Sequence, residues 1–220
     1  MKKKLKSDKQ SKLFVIMVLL GVLVIVYPII GKILNKRNQT EVIFKYTKEV
    51  EEMNDEEIKQ HEDKYQKYND LIIKGDNNID ILNVGEILGF IKIAKINLLL
   101  PIYQGTEEKI LYKGIGHMIN SGLPTDEKNY HCVLVGHSGL SNKTFFDKIE
   151  KLEIEDEFII NILNKSYKYK VYKIKKVLPN NTNELILKKG KKLVTLVTCT
   201  PKYINSHRLL VMGEMIEKVV

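Results

Sequence analysis

Three side chains in this sequence could do covalent chemistry together. The stretch LVTLVTCTPKYINSHRLLVMGE, residues 193 to 214, ends one apolar alternating run on a thiol, Cys199, and opens the next on a guanidinium, Arg208. Leu193, Thr195, Val197 and Cys199 fall on one face of an extended strand, and Arg208, Leu210 and Met212 on one face of the next. An antiparallel pair with Cys199 opposite Arg208 places Val197 opposite Leu210 and Thr195 opposite Met212. Directly opposed Cβ atoms lie about 4.5–5.5 Å apart, so the cation would stand beside the thiol, where it favours the thiolate. Its donors would also lie near any carbonyl the sulfur attacks.

A nucleophilic thiol needs an acid/base partner. The chain has five histidines. His61 falls in a charged helical segment, and His207 in the connection beside Arg208. His131 starts a strand-like run. His117, in GIGHMINSGLP, precedes a turn and also reads as a structural histidine. His137 ends the run HCVLVGH between Gly136 and Gly139, at a strand end with an unencumbered backbone. It is the favoured partner, with His117 second.

The elements that must position these residues are mostly strands. GFIKIAKINLLLPIY reads as strand followed by an apolar run stopped at Pro101, HCVLVGH as a buried strand, and TFFDKIEKL as a short helix. Thr106, followed by Glu107 and Glu108, suits a capped helix start. EFIINIL and YKYKVYKIKKVL flank Asn164-Lys165-Ser166 as a hairpin, and the alternation slips at Val171-Tyr172, as a bulge requires. Many short strands and few helices indicate a closed or nearly closed β-barrel. Cys132 and Cys199 are the only cysteines, which excludes a disulfide framework and leaves room for one bridge outside the cytosol, and Cys132 reads as a small buried hydrophobe.

Before the barrel the chain changes character. Residues 13 to 31, LFVIMVLLGVLVIVYPIIG, carry no charge, and at about 1.5 Å per residue they span close to a bilayer core. Ala94 is the only alanine, so no small-residue cleavage site follows the run, which reads as an uncleaved anchor. Eight of the nine net positive charges lie within the first 37 residues, flanking this run, which argues against nucleic acid as a partner. The lysine-rich segment 1–12 is expected to stay cytoplasmic and the chain beyond the anchor to lie outside the cell. Residues 32–80 read as a helical stalk, mainly solvated, with a stripe of Val42, Tyr46, Val50, Met53, Tyr65, Tyr68 and Ile72; the alternative is that this stripe packs on the barrel. Gly75-Asp76-Asn77-Asn78 breaks it, and residues 81–220 form the barrel.

Taken together, TLVTCT at 195–200, Arg208 nine residues beyond Cys199, VGHSG at 135–139, LPIYQGT at 100–106, GIGHMINSGLP at 114–124 and FFDKIEKL at 145–152 resemble the sortases, membrane-anchored cysteine transpeptidases of Gram-positive bacteria. The GHM, HSGL and TCTPxxxNxHRL patterns look most like class C, the pilin-polymerising members. The resemblance implies an eight-stranded sortase β-barrel with Cys199 as nucleophile, His137 as acid/base and Arg208 as the substrate-orienting, oxyanion-stabilising group. It implies cleavage of an LPxTG-like sorting signal between Thr and Gly through a thioester. The acyl group then passes to an amine, either a pilin lysine or a peptidoglycan cross-bridge. No cofactor and no metal are implied. Two features depart from class C: no Asp-Pro-aromatic lid precedes the barrel, GDNNIDIL at 75–82 being the nearest segment, and no second apolar helix is present up to Val220. Pilus assembly and wall anchoring therefore both stay open. Outside the resemblance, a thiol hydrolase of wall peptides or a non-catalytic anchored β-domain would also suit the residues.

Overall fold

The turn at Leu163-Asn164 organises one side of the molecule. In this computed structural model, which describes residues 2–76, 79–127 and 129–219, strands β5 (Glu157–Ile162) and β6 (Lys165–Val177) form an antiparallel hairpin closing at Ile162↔Lys165. Leu163 takes a left-handed φ of 54° to make the turn, so it begins one residue earlier than the Asn-Lys-Ser stretch suggested. Strand β6 continues against β8 (His207–Val219), and the register skips Tyr172, the slip visible as broken alternation.

The remaining strands are β1 (Ile87–Ile93), β2 (Leu98–Gln104), β3 (Ile115–His117), β4 (Tyr130–Val135) and β7 (Lys192–Thr200). They close into an eight-stranded barrel in the order β1-β2-β3-β4-β7-β8-β6-β5. The β2–β3 and β4–β7 pairs are parallel and the others antiparallel. Pro101 lies inside β2 rather than ending it, one residue before pairing with β3 begins at Ile102. Even-numbered residues of β4 and β7, such as Cys132, Leu134, Val194 and Leu196, fill the barrel interior with Leu209 and Val211 of β8. Odd-numbered residues of the same strands face outward.

Two local expectations change. The segment 144–152 is irregular apart from a single 3-10 turn at Ile149–Lys151. Phe145, Ile149 and Leu152 are nonetheless buried, and the Asp147 carboxylate accepts from the Gly139 and Phe145 amides. The local backbone is thus bonded to a side chain rather than to a helical ladder. The short helix expected after Gly105 spans Glu108–Leu111; its N-cap is Glu107, and no side chain caps it.

The larger correction concerns the N-terminal helices. Helix α1 (Lys2–Glu52) and helix α2 (Asp55–Lys74) are separate, because Asn54 and Glu57 form a reciprocal capping box that starts α2 afresh. Gly75 in the left-handed conformation ends α2. The expected solvated stalk is instead packed on the barrel. The Tyr46 hydroxyl donates to Leu88 O at 3.0 Å and accepts from Leu163 N at 2.7 Å. Asn69 grips the backbone of Leu123 through both its amide atoms, at 2.9 and 2.7 Å. Tyr65 and Tyr68 join the main core, and Tyr68 has no exposed surface. Ile79, Ile81 and Leu82 pack on the same core, while Asn77 and Asn78 of the GDNNIDIL segment lie outside the described residues.

Candidate active site

His137, Cys199 and Arg208 lie at one end of three adjacent strands, on their outer face. The parallel β4–β7 pairing holds one register from Tyr130↔Lys192 to Val135↔Val197. It persists past the end of β4: Gly136 N donates to Val197 O at 3.0 Å, and Thr198 Oγ1 donates to Gly136 O at 2.7 Å. Ser138 Oγ then donates to Cys199 O at 2.8 Å. His137 is thus carried alongside Cys199, one strand spacing away, about 4.8 Å between backbones. On the other side β8 pairs Cys199↔Arg208, Val197↔Leu210 and Thr195↔Met212, the register considered from the sequence.

Gly136 is required here. A Cβ at this position would meet Ile115 Cδ1 and Phe146 Cδ2, each at 2.7 Å. That close approach lets the chain turn off β4 while Phe146 N donates to His137 O at 2.9 Å. Below the three residues the outer face is apolar. Val133, Val197, Leu210 and Met212 are buried there beneath Met118, Tyr172 and Leu185. The β6–β7 connection that carries Leu185 is tied to β6 by Glu184, which receives Lys173 at 2.8 Å and Lys175 at 2.7 Å. These two ammonium groups hold the Glu184 carboxyl down at about 2.

The histidines separate by environment. His117 is fully buried, with Nδ1 2.7 Å from Gln104 Oε1 and Nε2 3.0 Å from Ser121 Oγ. Burial lowers it to about 4, so it is a neutral structural group and not a rival partner for the thiol. His131 is likewise engaged at both nitrogens, by Ile186 O and Thr195 Oγ1. His207 is the first residue of β8, half-buried, with Nδ1 2.9 Å from Ser206 Oγ. His137 is different: its Nε2 is buried yet has no hydrogen-bond partner among the described residues. Burial lowers its pKa, and the nearby Glu108 pulls it partly back, so the neutral imidazole dominates near pH 7.

The Arg208 guanidinium is held by its own connection, with Nη1 donating to Asn205 O at 3.1 Å and His207 O at 3.2 Å. The other guanidinium nitrogens have no protein acceptor among the described residues. Three further residues belong to the site and carried no local signal. The Tyr112 ring lies 5.3 Å from the His137 ring, tilted by 52°. Lys143 sits 5.3 Å over the other ring system, that of Tyr112, and donates to Tyr112 O at 2.6 Å. Glu108, one turn before Tyr112, supplies the field at His137. Only the strand order brings the 108–112 segment against residue 137.

The sortase domain family matches residues 91–216, more than half of the chain. The chain belongs to the sortase family. Among solved structures it is similar to Clostridium perfringens sortase C, solved with the C-terminal cell wall sorting motif. That similarity is 40% identity with a TM-score of 0.77, covering 81% of this chain and 99% of the other. Streptococcus agalactiae sortase C1 matches at 34% identity and TM-score 0.75, over 80% and 98%. Those structural neighbours are class C sortases, and they share the closed barrel. Among curated relatives, Streptomyces coelicolor sortase SrtE1 is 31% identical over 61% of this chain and 42% of its own. Bacillus subtilis sortase D is also 31% identical, over 60% and 65%. The chain therefore spans less than two thirds of the length of these two sortases.

Proposed function

We propose that this sortase is a membrane-anchored cysteine transpeptidase that joins sorting-signal proteins to an amine, with Cys199, His137 and Arg208 as its reacting and stabilising groups. One observation carries the reading: three adjacent strands bring a thiol between an imidazole with an unpartnered buried nitrogen and a guanidinium with uncommitted donors. The chemistry follows from those atoms. Neutral His137 takes the Cys199 proton as the sulfur attacks the Thr–Gly carbonyl of an LPxTG-like signal. The carbonyl oxygen becomes an oxyanion, which Arg208 is placed to stabilise. Collapse forms the thioester, breaks the C–N bond and passes the proton from the imidazolium to the departing Gly amine. An acceptor amine then attacks the thioester and yields its proton to His137, which returns it to the thiolate as the amide forms.

The apolar floor of Val197, Leu210 and Met212 beside Cys199 suits the Leu and Pro of such a signal. The neighbour solved with a cell wall sorting motif supports a peptide substrate of that class. Likeness to the Streptococcus pneumoniae sortase C, described in terms of pilin substrate specificity, favours a pilin lysine over a peptidoglycan cross-bridge as acceptor. Helix α1, with its exposed apolar run, supports an anchor with the lysine-rich end in the cytoplasm and the barrel outside. Protease added to intact protoplasts should then digest the barrel.

The test is intact mass spectrometry of the protein mixed with sorting-signal peptides and candidate amines. The expected result is a mass increase matching a thioester at Cys199, discharged faster by a lysine-bearing pilin fragment than by water. Amine-independent discharge would make it a thiol hydrolase and defeat the reading.

A further inference from the structure

A second, unassigned site lies where α1 meets the barrel. Gly31 ends the uncharged run, and a Cβ there would stand 2.8 Å from Asn142 Cβ, so helix and barrel touch at the point where the helix would leave a membrane. Just beyond, a cavity of about 380 Å³ opens between α1 and the turn from β1 to β2. Lys32 and Lys36 enter it from one face of α1, four residues apart, and Lys148 from the barrel side. Among the described residues no Asp or Glu lines it. Its other walls are mixed, with Ile33, Leu98 and Phe145 beside the neutral polar side chains of Asn35, Thr40, Asn97 and Thr144.

The cavity also contains an unmet donor. Gln39 lines it and is only 5% exposed, and its Nε2 has no hydrogen-bond partner among the described residues. A buried donor without an acceptor carries its full desolvation penalty, so such groups are normally paired. Three ammonium groups and an amide donor, beside neutral polar and apolar side chains and just past the end of an uncharged helical run, match one kind of occupant: a phosphodiester attached to hydrocarbon. We infer that this cavity holds the headgroup phosphate of an anionic membrane phospholipid, clamped between the juxtamembrane turn of α1 and the barrel. The inference rests on α1 crossing the membrane, but not on the chemistry at Cys199. Its consequence for the protein is orientation. Lys148 and Asn142 belong to the connection that begins directly after His137, so a bound lipid would hold that connection against the membrane surface.

The full chain, reconstituted in nanodiscs of zwitterionic lipid doped with photoactivatable phosphatidylglycerol, should cross-link within residues 32–40 and 144–148 on peptide mapping. Lys36→Glu and Lys148→Glu should each lower the yield at least about fivefold, as expected for a surface cation reversed near an anionic headgroup. Gln39→Leu should lower it too, without a loss of melting temperature. Arg37→Glu makes the same charge change but Arg37 does not line this cavity, only the adjoining groove that shares Lys36 with it, and its yield should fall clearly less than that of Lys148→Glu. Equal loss in Arg37→Glu and Lys148→Glu, or equal yield from photoactivatable phosphatidylcholine, would overturn the inference. So would full competition by millimolar inorganic phosphate, which would make the occupant a free anion. A chain that fails to enter nanodiscs at all would overturn the anchor and this site together.

Discussion

The two faces of β4 and β7 carry the same residue types and opposite chemistries. On the inner face the Cys132 thiol is buried among Leu134, Val194 and Leu196, and burial pushes its pKa far above the ordinary thiol range. On the outer face Cys199 is half-buried, with His137 beside it on one strand and Arg208 on the other. The histidines also differ: His117 of β3 has both nitrogens engaged, whereas His137 Nε2 has no partner among the described residues. For the thiols the side of the sheet decides which is inert and which is available. For the imidazoles it is the partners that decide, since His131, on the outer face of β4, is engaged at both nitrogens whereas His137 Nε2 is not among the described residues. The two cysteines point to opposite faces, so the pairing of strands itself prevents a bridge between them.

The sharpest way to break this contrast is to remove each thiol in turn. Cys199→Ala should abolish the thioester seen by intact mass, leaving the melting temperature nearly unchanged. Cys132→Ala should still acylate, while losing roughly 1–3 kcal/mol of stability to denaturant, the usual range for a buried substitution. Acylation surviving in Cys199→Ala would end the assignment of the outer face.

Arg208 tests whether that face needs a fork of donors or only a positive charge. A lysine cannot reproduce the planar guanidinium. Arg208→Lys should slow single-turnover acylation by about 10²–10³, or roughly 2.7–4 kcal/mol, the cost of losing one oxyanion donor. Near wild-type acylation in Arg208→Ala would make the guanidinium a clasp for the Asn205 and His207 carbonyls and nothing more.

The inner histidine can be read through pH. His117 in the fold titrates at about 4 against an ordinary 6.5, so between those values the unfolded chain binds the extra proton. Its contribution is intact above pH 6.5 and is lost as pH falls toward 4, in all about 3 kcal/mol by linkage. Urea unfolding at stepped pH should show that slope, and His117→Gln should flatten it if the variant folds. An unchanged slope in a folded variant would place the acid sensitivity elsewhere.

The smallest expected effect is at Tyr112. Stripping the ring from beside His137 should let water reach the imidazole and shift the acidic limb of the acylation profile upward by less than about one pH unit. Alkylation of Cys199 should accelerate only a fewfold. A hundredfold acceleration would show that Tyr112, rather than any segment before the barrel, acts as the cover of the site.

Much of this could be read along the chain. Alternation in 193–199 and 208–212 is a local property with a period of two, so it determined the faces, and the Cys199↔Arg208 register observed is one of those it allows. The broken alternation at Tyr172 marked a real bulge, and the uncharged run 13–31 marked a helix with a bare apolar surface. The capping box of Asn54 and Glu57 was equally legible and would have divided the helical region in two. The sequence could not show that Tyr46, Tyr65 and Tyr68 turn their stripe onto the barrel, because an amphipathic stripe records that a face is buried and not what buries it. Nor could it place Tyr112 on His137, or Gln39 and Lys148 around one cavity. Those neighbours are set by strand order and by the docking of α1, and such contacts leave no periodic trace in the residues that make them.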